Sequence, residues 1–201
     1  MTIVPLHADV RGGIRRPPNF GNLFFGDCVV AMYCNLLLTK NVTKASTWRK
    51  ILYRLGFRPP TNAEAIDDYR TYLATLGEIP SPTQGIYPDG FFAWLKAQGK
   101  IKDWGTIDYT NQSLVQQAMI EHRGVGLTMA LTPSAIGKDA VQMAVWDVNV
   151  GRGNQPNQAY QHAVALVEYN PTTYAIFTWG ETNRLTRAFY TACVNGCYWF
   201  E

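Results

Sequence analysis

Asn22-Leu23-Phe24-Phe25-Gly26-Asp27-Cys28-Val29-Val30-Ala31-Met32-Tyr33-Cys34-Asn35 is the stretch from which the rest of the chain can be interpreted. Gly26-Asp27 reads as a helix start, with Asp27 offering a cap to the first free N–H groups and an apolar run behind it. Cys28 then falls in the first turn, where unpaired N–H groups and the positive end of the helix dipole favour a thiolate. Asn22 stands six residues earlier and carries an amide N–H₂ able to donate to an oxyanion. A nucleophile and an oxyanion donor from one short loop are two parts of an acyl-transfer site.

The third part lies far along the chain. Gln161-His162-Ala163-Val164-Ala165-Leu166-Val167-Glu168-Tyr169 reads as a strand opening on a histidine. Asn170-Pro171-Thr172-Thr173 reads as a turn, and Tyr174 to Trp179 as a returning strand that ends in Trp179-Gly180. A cysteine at a helix start with a histidine on a distant strand is a nucleophile pattern.

With these residues in view, the chain resembles the papain-like cysteine peptidase superfamily. Asn22, Cys28, His162-Ala163-Val164 and Trp179-Gly180 follow that family's order and spacing. Gly21-Asn22, Gly26-Asp27-Cys28, Trp146-Asp147 and Trp179-Gly180-Glu181 are similar to an uncharacterised phage- and prophage-encoded branch. The likeness covers roughly residues 20 to 201. It implies an α+β fold, a helical lobe and an antiparallel β lobe with a cleft between them, Cys on one wall and His on the other. It also implies hydrolysis of peptide or isopeptide amides. Cys28 would attack, His162 would carry the proton, and the Cys28 N–H with the Asn22 amide would hold the oxyanion.

The third triad member departs from the family. Aligning on Trp179-Gly180 puts Phe177 where the orienting Asn belongs, and a phenyl ring cannot hold an imidazole tautomer. Counting an uninterrupted hairpin from His162 brings Thr178 or Glu181 near instead, and a carboxylate at Glu181 would suit the imidazolium. An alternative is a papain-like scaffold without turnover, serving as a virion component or host-factor binder. The aromatic C-terminus (Phe189, Tyr190, Tyr198, Trp199, Phe200) would then be an interface.

Composition narrows the partners. With 201 residues, 47% hydrophobic and 16% charged, the chain suits one compact domain. The net charge of +3 is mild and its Lys and Arg are scattered, which argues against nucleic acid. No apolar run approaches the roughly 20 residues of a membrane span, and no signal-like segment follows Arg15-Arg16. The cytoplasm is the expected site, or a host cytoplasm or virion if phage-encoded. Cys28, Cys34, Cys193 and Cys197 make neither a disulfide framework nor, with the histidines, a zinc spacing, so no metal or cofactor is expected. The partner expected is a peptide or protein substrate, or a virion or host protein.

Along the chain, residues 1–20 read as an extended arm draped over the domain or, equally, as a partly disordered tail. Asp27 to Lys40 is apolar on most sides and belongs in the middle of a fold. Ser46 starts a second helix carrying Trp48, Ile51, Leu52 and Leu55. Thr61-Asn62-Ala63-Glu64 is a capping box ahead of Ile66, Tyr69, Leu73 and Leu76. Shorter helices follow at Phe91 to Gln98 and Asn111 to His122. From Val125 the period changes to strand-like segments at 125–131, 141–148, 163–169 and 174–179, with a loop at 151–157 before the histidine. The helical lobe is therefore expected over about 21–123 and the β lobe over about 124–201.

Overall fold

A computed structural model describes residues 4–22, 24–42, 59–136, 145–148 and 153–201. The helix expected from Ser46 and the first half of the strand expected over 141–148 lie outside the described residues. Helix α1 (Cys28–Val42) runs through the centre. Val29, Val30, Ala31, Met32, Tyr33, Cys34, Leu36 and Leu38 are all buried, so the helix is enclosed on every side, as its lack of a polar face requires. Helix α2 (Asn62–Thr75) opens on the expected capping box: Thr61 Oγ1 accepts from the Glu64 N–H, and the Glu64 carboxylate accepts from the Thr61 N–H. Helix α3 (Pro88–Ala97) starts three residues earlier than its apolar pattern suggests, because Pro88 at the first helical position gives up no needed N–H. Helix α4 (Gln112–Glu121) is capped by the Asn111 side chain, and α5 (Arg187–Cys193) by Thr186.

The sheet comprises β1 (Ala8–Asp9), β2 (Trp104–Thr106), β3 (Val125–Ala130), β4 (Val145–Trp146), β5 (Gln161–Tyr169), β6 (Thr173–Thr178), β7 (Glu181–Thr186) and β8 (Val194–Phe200). Its order is β2-β8-β3-β5-β6-β7-β4, with β1 alongside β5. Every pairing is antiparallel except β4 with β7. The architecture is the expected α+β arrangement. Two strands come from before residue 124, however. Within the arm Ala8 and Asp9 pair with Tyr169 and Glu168, and Trp104–Thr106 pairs with Phe200, Trp199 and Tyr198. The change of period at 124 therefore separates helices from strands only in part.

Helix α1 lies against β5, and the register shows how it approaches so closely. Gly126 pairs with Ala165, and Ala165 with Phe177, so these share a sheet face. A Cβ on Gly126 would stand 2.5 Å from Met32 Sδ, which marks that face as the one against α1. His162, Val164 and Leu166 alternate to the opposite face, with Ile176 and Thr178 beside them. Phe177 therefore points away from the imidazole, and Thr178 points with it.

The aromatic C-terminus proves to be core. Phe189, Tyr190 and Phe200 are buried, and Tyr198 and Trp199 are partly so. Phe200 packs against Tyr33 of α1 and Phe92 of α3, so this end of the chain joins sheet to helices. Of the five side chains named for an interface, Phe189, Tyr190 and Phe200 are thus enclosed, while Tyr198 and Trp199 keep an accessible part. Cys193 and Cys197 are free buried thiols.

Candidate active site

The site begins where α1 begins. The Ala31 N–H donates to the Asp27 carbonyl to close the first turn, and Cys28 is the first helical residue. Asp27 does not cap the helix as expected. Its side chain is fully buried and neither carboxyl oxygen has a hydrogen-bond partner. Gly26 lies against the neighbouring loop: its N–H donates to Ser81 O at 3.0 Å, and a Cβ there would meet Gln84 O at 2.4 Å. Tyr69 of α2 fastens the same loop from behind, its hydroxyl donating to Gln84 O at 2.5 Å. The strap from Gln84 to Pro88 is thereby held beside the nucleophile.

Across from this strap stands the sheet. Cys28 and His162 line one cavity of about 530 Å³, with Gly85 and Tyr87 on the helical side and Asn195 and Tyr198 on the sheet side. No hydrogen bond joins the thiol to the ring. His162 is buried, and its Nε2 is 2.6 Å from Thr178 Oγ1. This leaves Nδ1 as the nitrogen without a hydrogen bond. The ring also stacks on Trp179, with centroids 4.4 Å apart and planes at 22°.

Trp179 can stack there because of an unusual turn. Trp179 and Gly180 have φ of 48° and 81°, so both central residues of the two-residue β6–β7 hairpin are left-handed. That conformation is costly for a bulky side chain. Trp179 is held in it between His162 and Trp146, whose ring centroid is 5.8 Å away. Trp146 itself is buried and packs on Phe189, which makes it support for the site rather than cleft lining.

The remaining expected residues stand apart from this pair. Glu181 faces Thr178 across the hairpin register, but its carboxylate is 3.8 Å from Arg16 and makes no hydrogen bond to His162. The orienting contact goes to Thr178 because only that position combines the right face with the right reach. Asn22 is half-buried, its Nδ2 is enclosed without a partner, and it is absent from the cavity lining. Its backbone is set by Asn19, whose carbonyl accepts from the Asn22 N–H at 3.1 Å. Gly85, Tyr87, Asn195 and Tyr198 escaped sequence reasoning, since a loop and a strand end carry no motif that marks a cleft wall.

Burial dominates the electrostatics. It pushes the Cys28 thiol up to about 11; the Ala163 N–H works against this, the Asp27 carboxyl adds to it, and the Val29 and Cys28 N–H groups oppose it. The helix-start donors thus act in the expected direction but are outweighed, and a thiolate is not favoured at rest. Burial pushes His162 down to about 3. The resting pair is a neutral thiol and a neutral imidazole.

Known structures share this architecture. Xylellain, a cysteine protease from Xylella fastidiosa, superposes over 99% of this chain and 87% of its own, with a TM-score of 0.71 and 8% identity. The Carica candamarcensis cysteine protease CMS1MS2, solved in complex with E-64, matches over 98% of both chains with a TM-score of 0.59 and 15% identity. The digestive procathepsin L 3 of Tenebrio molitor larval midgut gives 0.65 at 10% identity, over 99% of this chain and 70% of that one. The fold is papain-like. No protein-family model and no curated protein sequence matches the chain.

Proposed function

We propose that this papain-like protein is a cysteine peptidase, with Cys28 as nucleophile and His162 as general base. The observation that carries the reading is the shared cavity: Cys28 at the head of α1 and His162, tethered by Thr178, line the same space between helices and sheet. The substrate would be a peptide or isopeptide amide.

Chemistry follows from the neutral resting pair. The Cys28 sulfur adds to the amide carbonyl carbon while its proton passes to His162 Nδ1. The competent tautomer is the one in which Nε2 donates to Thr178 Oγ1, which leaves the Nδ1 lone pair free to accept. The oxyanion takes a hydrogen bond from the Cys28 N–H; the Asn22 amide, enclosed and outside the cavity lining, would reach it only if the Gly21-Asn22 loop turned toward the cleft. His162 returns its proton to the departing amine, and the C–N bond breaks. Water, deprotonated by His162, then cleaves the thioester and restores the thiol.

A second reading keeps the scaffold without turnover, as a virion component or a binder of a host protein. The neutral thiol and imidazole favour it, since neither group is activated alone. E-64, the ligand in the Carica protein's structure, separates the two. Stoichiometric labelling of Cys28 by E-64, lost in His162→Ala, together with cleavage of a casein or mixed-peptide substrate, is expected for the peptidase. Labelling no faster than that of unfolded protein, with no cleavage, would leave the scaffold.

A further inference from the structure

Asp27 adjoins the nucleophile in sequence and is fully enclosed, with neither carboxyl oxygen hydrogen-bonded. Among the described residues no arginine, lysine or histidine pairs with it. A charged carboxylate is far more costly in such surroundings than the neutral acid. The side chain also has a definite neighbour. Its Oδ2 is 2.6 Å from the point where a Cβ on Gly21 would stand, and Ile66 Cγ1 of α2 is 2.9 Å from that same point. Gly21 has φ of 94° and directly precedes Asn22. The Gly21 carbonyl accepts from the Phe24 and Phe25 N–H groups, and Asn62 at the start of α2 accepts from the Phe20 N–H. The Asp27 carboxyl thus sits between the start of α1 and the loop that carries Asn22.

We infer that Asp27 is a positioning residue that works as a neutral carboxylic acid, seating the Gly21-Asn22 loop against the start of α1, and that its ionisation turns Cys28 off. The inference rests on the reading of Cys28 as the nucleophile, but it concerns thiol reactivity and not turnover. Burial raises the Asp27 pKa to about 7 against the pull of its own N–H, which puts the switch in the neutral range. The titratable groups that feel its charge are Cys28 and Cys34 on α1 and Tyr69 on α2, and each is pushed upward by it. Among the described residues no opposite charge from a packed element relieves the ionised form.

The test compares iodoacetamide alkylation of Cys28 in wild type and Asp27→Asn at two pH values straddling the Asp27 transition, read by peptide mass spectrometry. The amide is uncharged at both. The rate ratio of variant to wild type should therefore rise about tenfold from the acid to the alkaline condition, the equivalent of one pKa unit at Cys28. A ratio that does not change, or that falls, overturns the inference, because a merely structural Asp27 would alter both conditions alike. Wild type alone supplies the check if the variant does not fold. The infrared carbonyl band of a protonated buried acid should disappear with the same midpoint as a break in the Cys28 alkylation profile; a profile without that break overturns it. Both readouts work on a protein with no turnover, so failure of the peptidase reading would be seen separately.

Discussion

At the scale of single residues, Thr178 takes the place that a carboxylate or amide would fill. A hydroxyl can accept from or donate to Nε2, so it fixes the orientation of the ring and not its tautomer, and it stabilises an imidazolium less than a charged partner does. Thr178→Val keeps the shape and removes the bond, so kcat/KM should fall about tenfold to hundredfold with the fold retained. Glu181→Gln should leave the Cys28 alkylation profile unchanged, since that carboxylate faces Arg16; a shifted profile would restore it as the electrostatic partner. The pH dependence of stability divides between two buried groups. His162 is depressed to about 3, so the unfolded chain binds more protons than the folded one as pH falls below the ordinary histidine value, and stability is lost in that direction. Asp27 is raised from 3.8 to about 7, so its contribution is present at acid pH and lost as pH rises through that window. Urea titrations of His162→Asn should show a shallower acid loss than wild type, and those of Asp27→Asn a shallower loss between acid and neutral pH.

At the scale of elements, the start of α1 and the strap beside it form one unit. Gly26 is packed against the backbone of Gln84, which cannot yield as a flexible side chain would. Gly26→Ala should therefore destabilise by about 1–3 kcal/mol and displace the strap. KM should rise more than kcat falls, because the cleft wall moves while His162 stays tethered. A crystal structure or steady-state kinetics would check this. Helix α2 bears on the site through its N-terminus, where Asn62 and Ile66 hold the loop around Gly21. Thr61→Ala removes half of the capping box and should cost about 1 kcal/mol, a drop of about 2–4 °C in Tm.

At the scale of the whole molecule, the arm is held by a buried carboxylate. Glu168 sits within the sheet, paired with Arg11 of the arm at 2.6 Å and Arg184 of β7 at 2.8 Å, with His7 at 3.5 Å. Arg11 is also bound to Asp9, so the arm's strand and its charge dock together. Removing one partner of a buried pair leaves the other poorly compensated. Arg11→Ala should cost about 2 kcal/mol or more in urea denaturation. It should also expose the arm to limited proteolysis, while Glu168→Gln combined with Arg11→Ala should cost less than the two changes summed.

The sequence by itself determined α1 as a central helix headed by Cys28, the capping box at Thr61, the strand opened by His162 and the return ending at Trp179-Gly180. These are local properties: a period, a cap or a turn chemistry is written within a few neighbouring residues. Only the tertiary structure decided the rest. It turned Asp27 inward instead of capping the helix, and gave the imidazole to Thr178 rather than Glu181. It also placed Phe189, Tyr190 and Phe200 of the aromatic C-terminus in the core. Each of those outcomes depends on which sheet face a side chain takes and on what packs against it from a distant part of the chain. A strand register that alternates by one residue sends Phe177 toward α1 and Thr178 toward His162; the β5–β6 and β6–β7 hairpins set that register, and α1, distant in sequence, decides which face is covered.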